Sequence, residues 1–426
     1  KRLYILDRVE SGSISYNIPA LFRLQEEPDR KKLADAFGEL IARHESFRTS
    51  FMIVDDEPVQ KIHDPGDIEF EIEYHNHDFV RPFGLSRPPL LRAGLINSGG
   101  DPGSITLLID MHHIITDGIS MEVVLQELED LYDLRELAHL RVQYKDFAHW
   151  QHSRAYREKI KKLEPFWLDE FAGEIPVLQL PVDFPRPEVQ SFVGNTIHFE
   201  ITGKDTAALN ELADSEQVTL FMVLAAIFNI LLAKLSGQDD IVIGVPTAGR
   251  EHPDLENIIG MFVNTLALRN YPTGDVTFDG FLQEVRKKVL DVFKNQDYQI
   301  EDLVEAIITE RDASRNPLFD VMFALQNMEP FKIENSGLKI ISRSYDTRVS
   351  KFDLTLIGEE AGEKLIFSVE YCTRLFKEET IERFTGYFRE IIQAVTANKK
   401  IKLEEIKLCH SLYDQEINNP EVDFGY

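Results

Sequence analysis

Met111-His112-His113-Ile114-Ile115-Thr116-Asp117-Gly118 decides how this chain is read. It follows Ile105-Thr106-Leu107-Leu108-Ile109, a β-branched, apolar run of the kind that forms a buried strand. After Gly118, Ser120 is placed to cap a helix in which Met121, Val124, Leu125, Leu128 and Leu131 recur at helical spacing. Two histidines, a carboxylate and a glycine therefore stand where a strand hands over to a helix. A rigid strand aims side chains there, and the loop leaves room for a substrate.

Neighbouring side chains on a strand point to opposite faces, so only one of the two histidines can face a cleft. If that is His113, His112 turns into the packing behind it. An imidazole accepts, donates or holds a proton near neutral pH, which suits attack by an amine or hydroxyl on an acyl group. Asp117 is placed to pair with an arginine and lock the loop, and Gly118 lets its amide approach a developing oxyanion. Taken singly, a histidine in a core and an Asp-Gly turn are ordinary structure. Together, at this spacing, they make His113, His112, Asp117 and Gly118 the candidate catalytic set.

Composition narrows the function further. The 426 residues suffice for two or three domains. With 46 basic against 73 acidic residues the net charge is −27, which disfavours nucleic acid and anionic membranes as partners. Two cysteines, Cys372 and Cys409, make no disulfide framework, and without a signal-like start the chain reads as cytoplasmic. The most apolar stretch, Leu220–Ala233, is shorter than the ~18 residues of a membrane span and predicts a core helix. No cysteine or carboxylate cluster around His75 and His77 has the spacing of a zinc site, so no metal is expected.

Further along, Asp29 caps an expected helix with Leu33, Phe37, Leu40 and Ile41 on one face, and Phe70-Glu71-Ile72-Glu73-Tyr74 alternates as a half-exposed strand does. Leu180-Pro181-Val182-Asp183-Phe184-Pro185-Arg186-Pro187 carries three prolines and predicts a linker. A core helix near 219–235 and a strand from Asp240 to Pro246 then resume the pattern, giving two mixed helix-and-strand lobes. The opening Lys1-Arg2-Leu3-Tyr4 reads as a cut from a longer polypeptide, and the polar tail Asp414–Tyr426 as the start of a connection.

These stretches, in this order, resemble the condensation domain of nonribosomal peptide synthetases along nearly the whole chain. Lys1–Tyr4 is similar to the end of that family's first motif, Arg43-His44-Glu45-Ser46-Phe47-Arg48-Thr49-Ser50-Phe51 to the second, and Met111–Ser120 to the third. Tyr144-Lys145-Asp146-Phe147-Ala148-His149-Trp150 resembles the fourth, and Ile243-Gly244-Val245-Pro246-Thr247-Ala248-Gly249-Arg250 the fifth. Asn295-Gln296-Asp297-Tyr298 resembles the sixth, and Arg311 to Asp320 the seventh. The chain departs from the sixth motif at Gln299 and Ile300, where the family usually has proline and an aromatic residue.

The resemblance implies an α/β fold with mixed sheets, in which two chloramphenicol acetyltransferase-like lobes form a V-shaped pseudo-dimer around a central substrate tunnel. The expected division is residues 1–175 as the N-terminal lobe carrying the histidine motif, 176–190 as linker and 191–426 as the C-terminal lobe. Upstream donor and downstream acceptor peptidyl carrier domains would deliver thioesters on phosphopantetheine arms, beside an adjoining adenylation domain, with no tightly bound cofactor. The acceptor α-amine would attack the donor thioester at His113, and the motifs look like the subtype taking an L-configured donor. Asp117 would pair with Arg250 and tie the lobes together; Asn264 would line the tunnel, and Arg43 and Arg48 would either line it or simply cover the helix end. Carrier domains of this kind are typically acidic, so the run Arg154, Arg157, Lys159, Lys161 and Lys162 is a candidate docking face. An epimerisation domain of the same family and a coenzyme A-dependent acyltransferase are the competing readings; Gly249-Arg250 with Gly260–Thr265 fits condensation better.

Overall fold

The computed structural model describes residues 2–9, 12–74, 79–97, 105–308, 310, 312–326, 338, 340–343 and 348–408. Lys1, His75, His77, Arg311, Cys409 and the tail from Asp414 lie outside them. Two compact units emerge. One comprises Lys1–Pro165, Pro246–Asn264 and Met328–Val349; the other comprises Phe166–Val245, Thr265–Asn327 and Ser350–Tyr426.

The first unit opens with α1 (Arg2–Val9), β1 (Asn17–Leu24), α2 (Arg30–Arg43), β2 (Thr49–Val54), β3 (Glu57–Ile62) and β4 (Glu73–Tyr74). β5 (Leu91–Asn97), β6 (Ile105–His112), α3 (Gly118–Tyr132), α4 (Tyr144–Gln151) and α5 (Arg154–Glu170) follow. α2 begins where expected: the Asp29 carboxylate accepts the amides of Lys31 and Lys32 and so satisfies two orphan donors of the first turn. Its buried face carries Leu33, Phe37, Leu40 and Ile41.

β6 lies inside a five-stranded sheet, between antiparallel β1 and β5. All eight of its residues are buried, which is why apolar side chains fill most of both faces in place of a strict alternation. Leu107, Ile109 and Met111 enter the main hydrophobic core with Leu33, Phe37, Val124 and Leu128. Residues at even positions take the other face, so Asp110 and His112 share it. The alternating Phe70–Tyr74 stretch becomes a strand only at Glu73 and Tyr74, paired parallel to β5. Ile72 is nonetheless buried between exposed Glu71 and half-buried Glu73, so the alternation records burial and not a full ladder.

The second unit holds β7 (Gly194–Thr202), α6 (Lys204–Glu216), α7 (Leu220–Ser236), β8 (Ile241–Thr247), β9 (Asn264–Asn270), α8 (Phe278–Lys294), α9 (Ile300–Ile307) and β10 (Val321–Gln326). β11 (Ile340–Arg343) returns to the edge of the first sheet beside β1, before β12 (Leu354–Ala361), β13 (Lys364–Cys372) and α10 (Glu378–Ala397). Six strands in the order β7-β13-β12-β10-β8-β9 make a mixed sheet. α7 is the expected core helix, capped by Thr219 and stopped by Gly237 in the left-handed region (φ 69°). Its one polar interior side chain, Asn229, donates to the Ala225 carbonyl. Among the described residues no single helix is long and apolar enough to cross a membrane; α6 and α7 together are, but bend by 107°.

The proline-rich stretch 180–187 has no regular structure, as its prolines require. It is nevertheless anchored within its unit. Asp183 accepts the Lys377 amide and the Thr380 hydroxyl, and Arg186 pairs with buried Asp353.

Candidate active site

β6 ends at His112, and the chain turns through His113–Thr116 before α3 begins at Gly118. The sequence points to Ser120 as the helix cap, but Asp117 holds that position: its Oδ1 accepts the Ser120 amide at 2.8 Å. A carboxylate satisfies an orphan amide and also complements the positive end of the helix, so it outcompetes a hydroxyl further in. Gly118 thereby becomes the first residue of the helix, exposed, with open space where a Cβ would stand. Its amide is among the four at a helix N-terminus that have no intrahelical partner.

The two histidines separate as the strand geometry requires. His112 is buried, with Nδ1 accepting the Ile114 amide at 3.1 Å. His113 is half-buried; its amide donates to the Tyr16 carbonyl at 2.8 Å. Its Nδ1 lies 2.9 Å from the Thr116 carbonyl oxygen. A carbonyl can only accept, so in the neutral ring Nδ1 carries the proton and Nε2 the lone pair. The turn therefore sets both the aim of His113 and the nitrogen that can take a proton.

Asp117 is held from several directions. Arg250 Nη2 donates to Oδ1 at 2.9 Å, and the Phe262 amide donates to Oδ2 at 3.1 Å. Both partners of the ion pair are almost fully buried, at 3% and 1% side-chain exposure. Arg250 also donates to the Leu255 and Ile258 carbonyls and stacks over the Phe262 ring at 4.1 Å. Asp117 and Arg250 belong to the same compact unit, because the first unit takes in 246–264.

Serines and a tyrosine complete this attachment. Ser120 Oγ donates to the Gly260 carbonyl (3.0 Å) and accepts from the Gly260 amide (3.1 Å) and Arg250 (2.8 Å). Ser46 Oγ donates to the Ile259 carbonyl. Tyr144 donates to the Met261 carbonyl at 2.8 Å, and burial pushes its phenol well above its ordinary pKa, so it stays a donor. Two glycines make the fit possible. A Cβ on Gly260 would come within 2.1 Å of the Tyr144 ring; one on Gly249 (φ 64°) would come within 2.1 Å of the Phe262 carbonyl oxygen.

Behind β6 lies a second polar cluster. Asp110, fully buried, accepts from Asn17 at 2.7 Å and from Arg92 at 3.1 Å. Burial pushes its carboxyl up to about 6, against those hydrogen bonds, which pull it down. Arg92 also covers the Phe83 ring at 3.6 Å, and Phe83 meets His112 edge-on at 6.1 Å.

Arg43 and Arg48 lie at the α2 corner. Arg43 Nε donates to both Glu127 oxygens and its Nη2 to the Ala138 carbonyl; Arg48 donates to the His63 carbonyl. Burial would raise the Glu127 carboxyl, but hydrogen bonds from His44 and Arg43 hold it below its ordinary value. Asn264 is buried at the start of β9. On α5, Arg154 pairs with Glu158, Arg157 donates to the His152 carbonyl and Lys159 pairs with Glu251. Lys161 and Lys162 are exposed. Trp150 is 43% exposed, with one side against Tyr156 and Phe147.

Sequence reasoning passed over Ser46, Asp110, Arg92 and the amide of Phe262. One signal was present: an acid inside an otherwise apolar strand run, as at Asp110, needs a partner. The Phe262 amide leaves no trace in a side-chain pattern.

The chain matches the condensation-domain family over residues 1–418. Bacitracin synthase 3 of Bacillus licheniformis is 44% identical over 415 residues, covering 96% of this chain and 6% of the synthase. Tyrocidine synthase 3 of Brevibacillus parabrevis is 44% identical over 436 residues, covering 100% of this chain and 7% of the synthase. This chain thus spans less than a tenth of either relative. Among solved structures, the condensation domain from the monacolin K polyketide synthase superposes with a TM-score of 0.82 at 19% identity, covering 94% of this chain and 96% of that one. That likeness shows a shared mixed α/β fold, of the chloramphenicol acetyltransferase-like kind. The chain belongs to the condensation-domain family, whose members in nonribosomal peptide synthetases form amide bonds.

Proposed function

We propose that this chain forms a peptide bond, by attack of an acceptor aminoacyl α-amine on a donor peptidyl or aminoacyl thioester. Both substrates would arrive on phosphopantetheine arms of carrier domains within a cytoplasmic synthetase of secondary metabolism that also contains an adenylation domain. The observation that carries this reading is the His113 ring, fixed through Nδ1 on the Thr116 carbonyl so that Nε2 holds the lone pair. An α-amine has a pKa near ~8 and is already partly neutral, so Nε2 need only accept the proton released as the C–N bond forms. The proton leaves with the phosphopantetheine thiolate, and the acyl group ends on the acceptor. The amide of Gly118, the exposed first residue of α3, is a candidate to receive the developing oxyanion.

On this proposal Asp117 and Arg250 are scaffolding for that turn, Arg43, Arg48 and Asn264 shape the substrate path, and α5 meets the carrier. Because Arg154, Arg157 and Lys159 already hold partners within the unit, the docking charge would rest mainly on Lys161 and Lys162.

Epimerisation is tested by giving the protein a donor carrier loaded with a dipeptide, alone, in deuterated buffer. Condensation predicts no deuterium in the donor until an amine-bearing acceptor is added, and then transfer with the donor's L configuration retained. Deuterium gain and inversion without acceptor would replace the proposal by epimerisation, and acyl transfer from a free coenzyme A thioester but not from the loaded carrier would replace it by the acyltransferase reading.

A further inference from the structure

His112 is a turn-holding residue with a proton of its own to place. Its Nδ1 accepts the Ile114 amide, so that nitrogen must be unprotonated and Nε2 must carry the hydrogen. An isolated imidazole has no such obligation, since its two neutral tautomers interconvert freely. Facing Nε2 across 3.4 Å is Oδ1 of Asp7, on α1. Other described groups lie against the His112 ring. Phe83 and Tyr16 flank it at 6.1 Å and 6.3 Å, and Asp110, its neighbour on the same strand face, is held by Asn17 and Arg92.

We propose that Asp7 is a positioning residue for the reaction: its carboxylate keeps the His112 proton on Nε2, which leaves Nδ1 to hold the Ile114 amide and so fixes the turn that aims His113. The inference rests on reading His113 as the reacting residue. Carboxylates behind histidines fix ring tautomer and orientation in this way wherever the other nitrogen has a defined task. Without Asp7, the Nδ1–H tautomer becomes competitive. A proton on Nδ1 would oppose the Ile114 amide and push the turn out of register. A displacement of about an ångström at the reacting group costs roughly 100-fold in rate.

The test combines a tautomer readout with a rate. Long-range proton–nitrogen NMR of histidine-labelled protein, assigned with His112→Asn, reports which His112 nitrogen carries the proton. The wild type is expected to show Nε2–H. Asp7→Ala is expected to mix in the Nδ1–H form and to lower kcat about 10- to 100-fold with little change in KM. Asp7→Asn, which still offers a side-chain oxygen, should keep the Nε2–H tautomer and most of the rate. Nδ1–H in the wild type, or an unchanged tautomer or an unchanged kcat in Asp7→Ala, would overturn the proposal. The NMR readout needs no turnover, so a protein without condensation activity would refute the functional reading while leaving the role of Asp7 decided by the tautomer.

Discussion

Two arginine–aspartate arrangements, Asp117 with Arg250 in the first compact unit and the pairs around Asp353 and Asp320 in the second, put the same chemistry to different uses. In the first unit Asp117 receives Arg250 and two backbone amides, one of them across 145 residues of sequence, and the histidine turn precedes it directly. In the second unit Arg186 pairs with Asp353 and Arg315 with Asp320, and these bonds tie an irregular proline-rich stretch and a loop to the starts of the interior strands β12 and β10. Burial pushes the Asp320 carboxyl up to about 6, with Asp353 adding repulsion. Only the first arrangement leads into a titratable ring whose nitrogen is aimed by the backbone. The difference teaches that a buried ion pair marks a place where chain must be held; what stands beside the held chain decides whether the place is functional.

The sharpest way to break that comparison is His113→Ala. Loss of a positioned base predicts a fall in condensation rate of ~10²–10⁴-fold with an unchanged melting temperature. Next come the two aspartates. Asp117→Ala strands Arg250 in a buried site and should cost about 3–5 kcal/mol by denaturant unfolding together with most activity. Asp353→Ala should also lower stability, while the folded fraction turns over at the wild-type rate. Equal activity losses in the two variants would erase the distinction between the regions.

A smaller effect concerns pH. Asp110 has a folded pKa of about 6, above its ordinary 3.8. The folded state therefore holds more protons than the unfolded state between those values, and the Asp110 contribution to stability falls as pH rises through that window. Asp110→Asn removes that slope, so unfolding free energies at pH 4 and pH 7 should differ less in the variant than in the wild type from this cause. A wild-type slope that persists undiminished in the variant would place the titration elsewhere. The smallest effect is expected on α5. Charge reversal at Lys161 and Lys162 should raise KM for a loaded carrier roughly two- to fivefold and leave a small pantetheine thioester unaffected, as screened surface charges do.

Much of this was legible in sequence because it rests on local patterns. The apolar run before His112 gives β6, the all-round apolar stretch gives α7, and Asp29 gives the start of α2. The histidine turn is readable because strand alternation forces His112 and His113 apart. What escaped depends on contacts between distant stretches. Nothing local announces that 246–264 packs with the histidine motif, or that Phe262 offers an amide to Asp117. The capping role passed from Ser120 to Asp117 because Arg250 and the Gly260 backbone occupy the serine hydroxyl. A pattern of residue types cannot show which of two good caps is already engaged. Asp7 and Asp110 escaped for the same reason, since their partners sit on other elements.

The most direct measurement follows the intact mass of an acceptor carrier loaded with an amino acid, in single turnover against a donor carrier loaded with a short peptide. Wild-type protein should add the donor acyl mass to the acceptor, and His113→Ala of equal melting temperature should do so at least ~100-fold more slowly. Transfer at the same rate in both, or no transfer by the wild type, would contradict the assignment of peptide-bond formation to this turn.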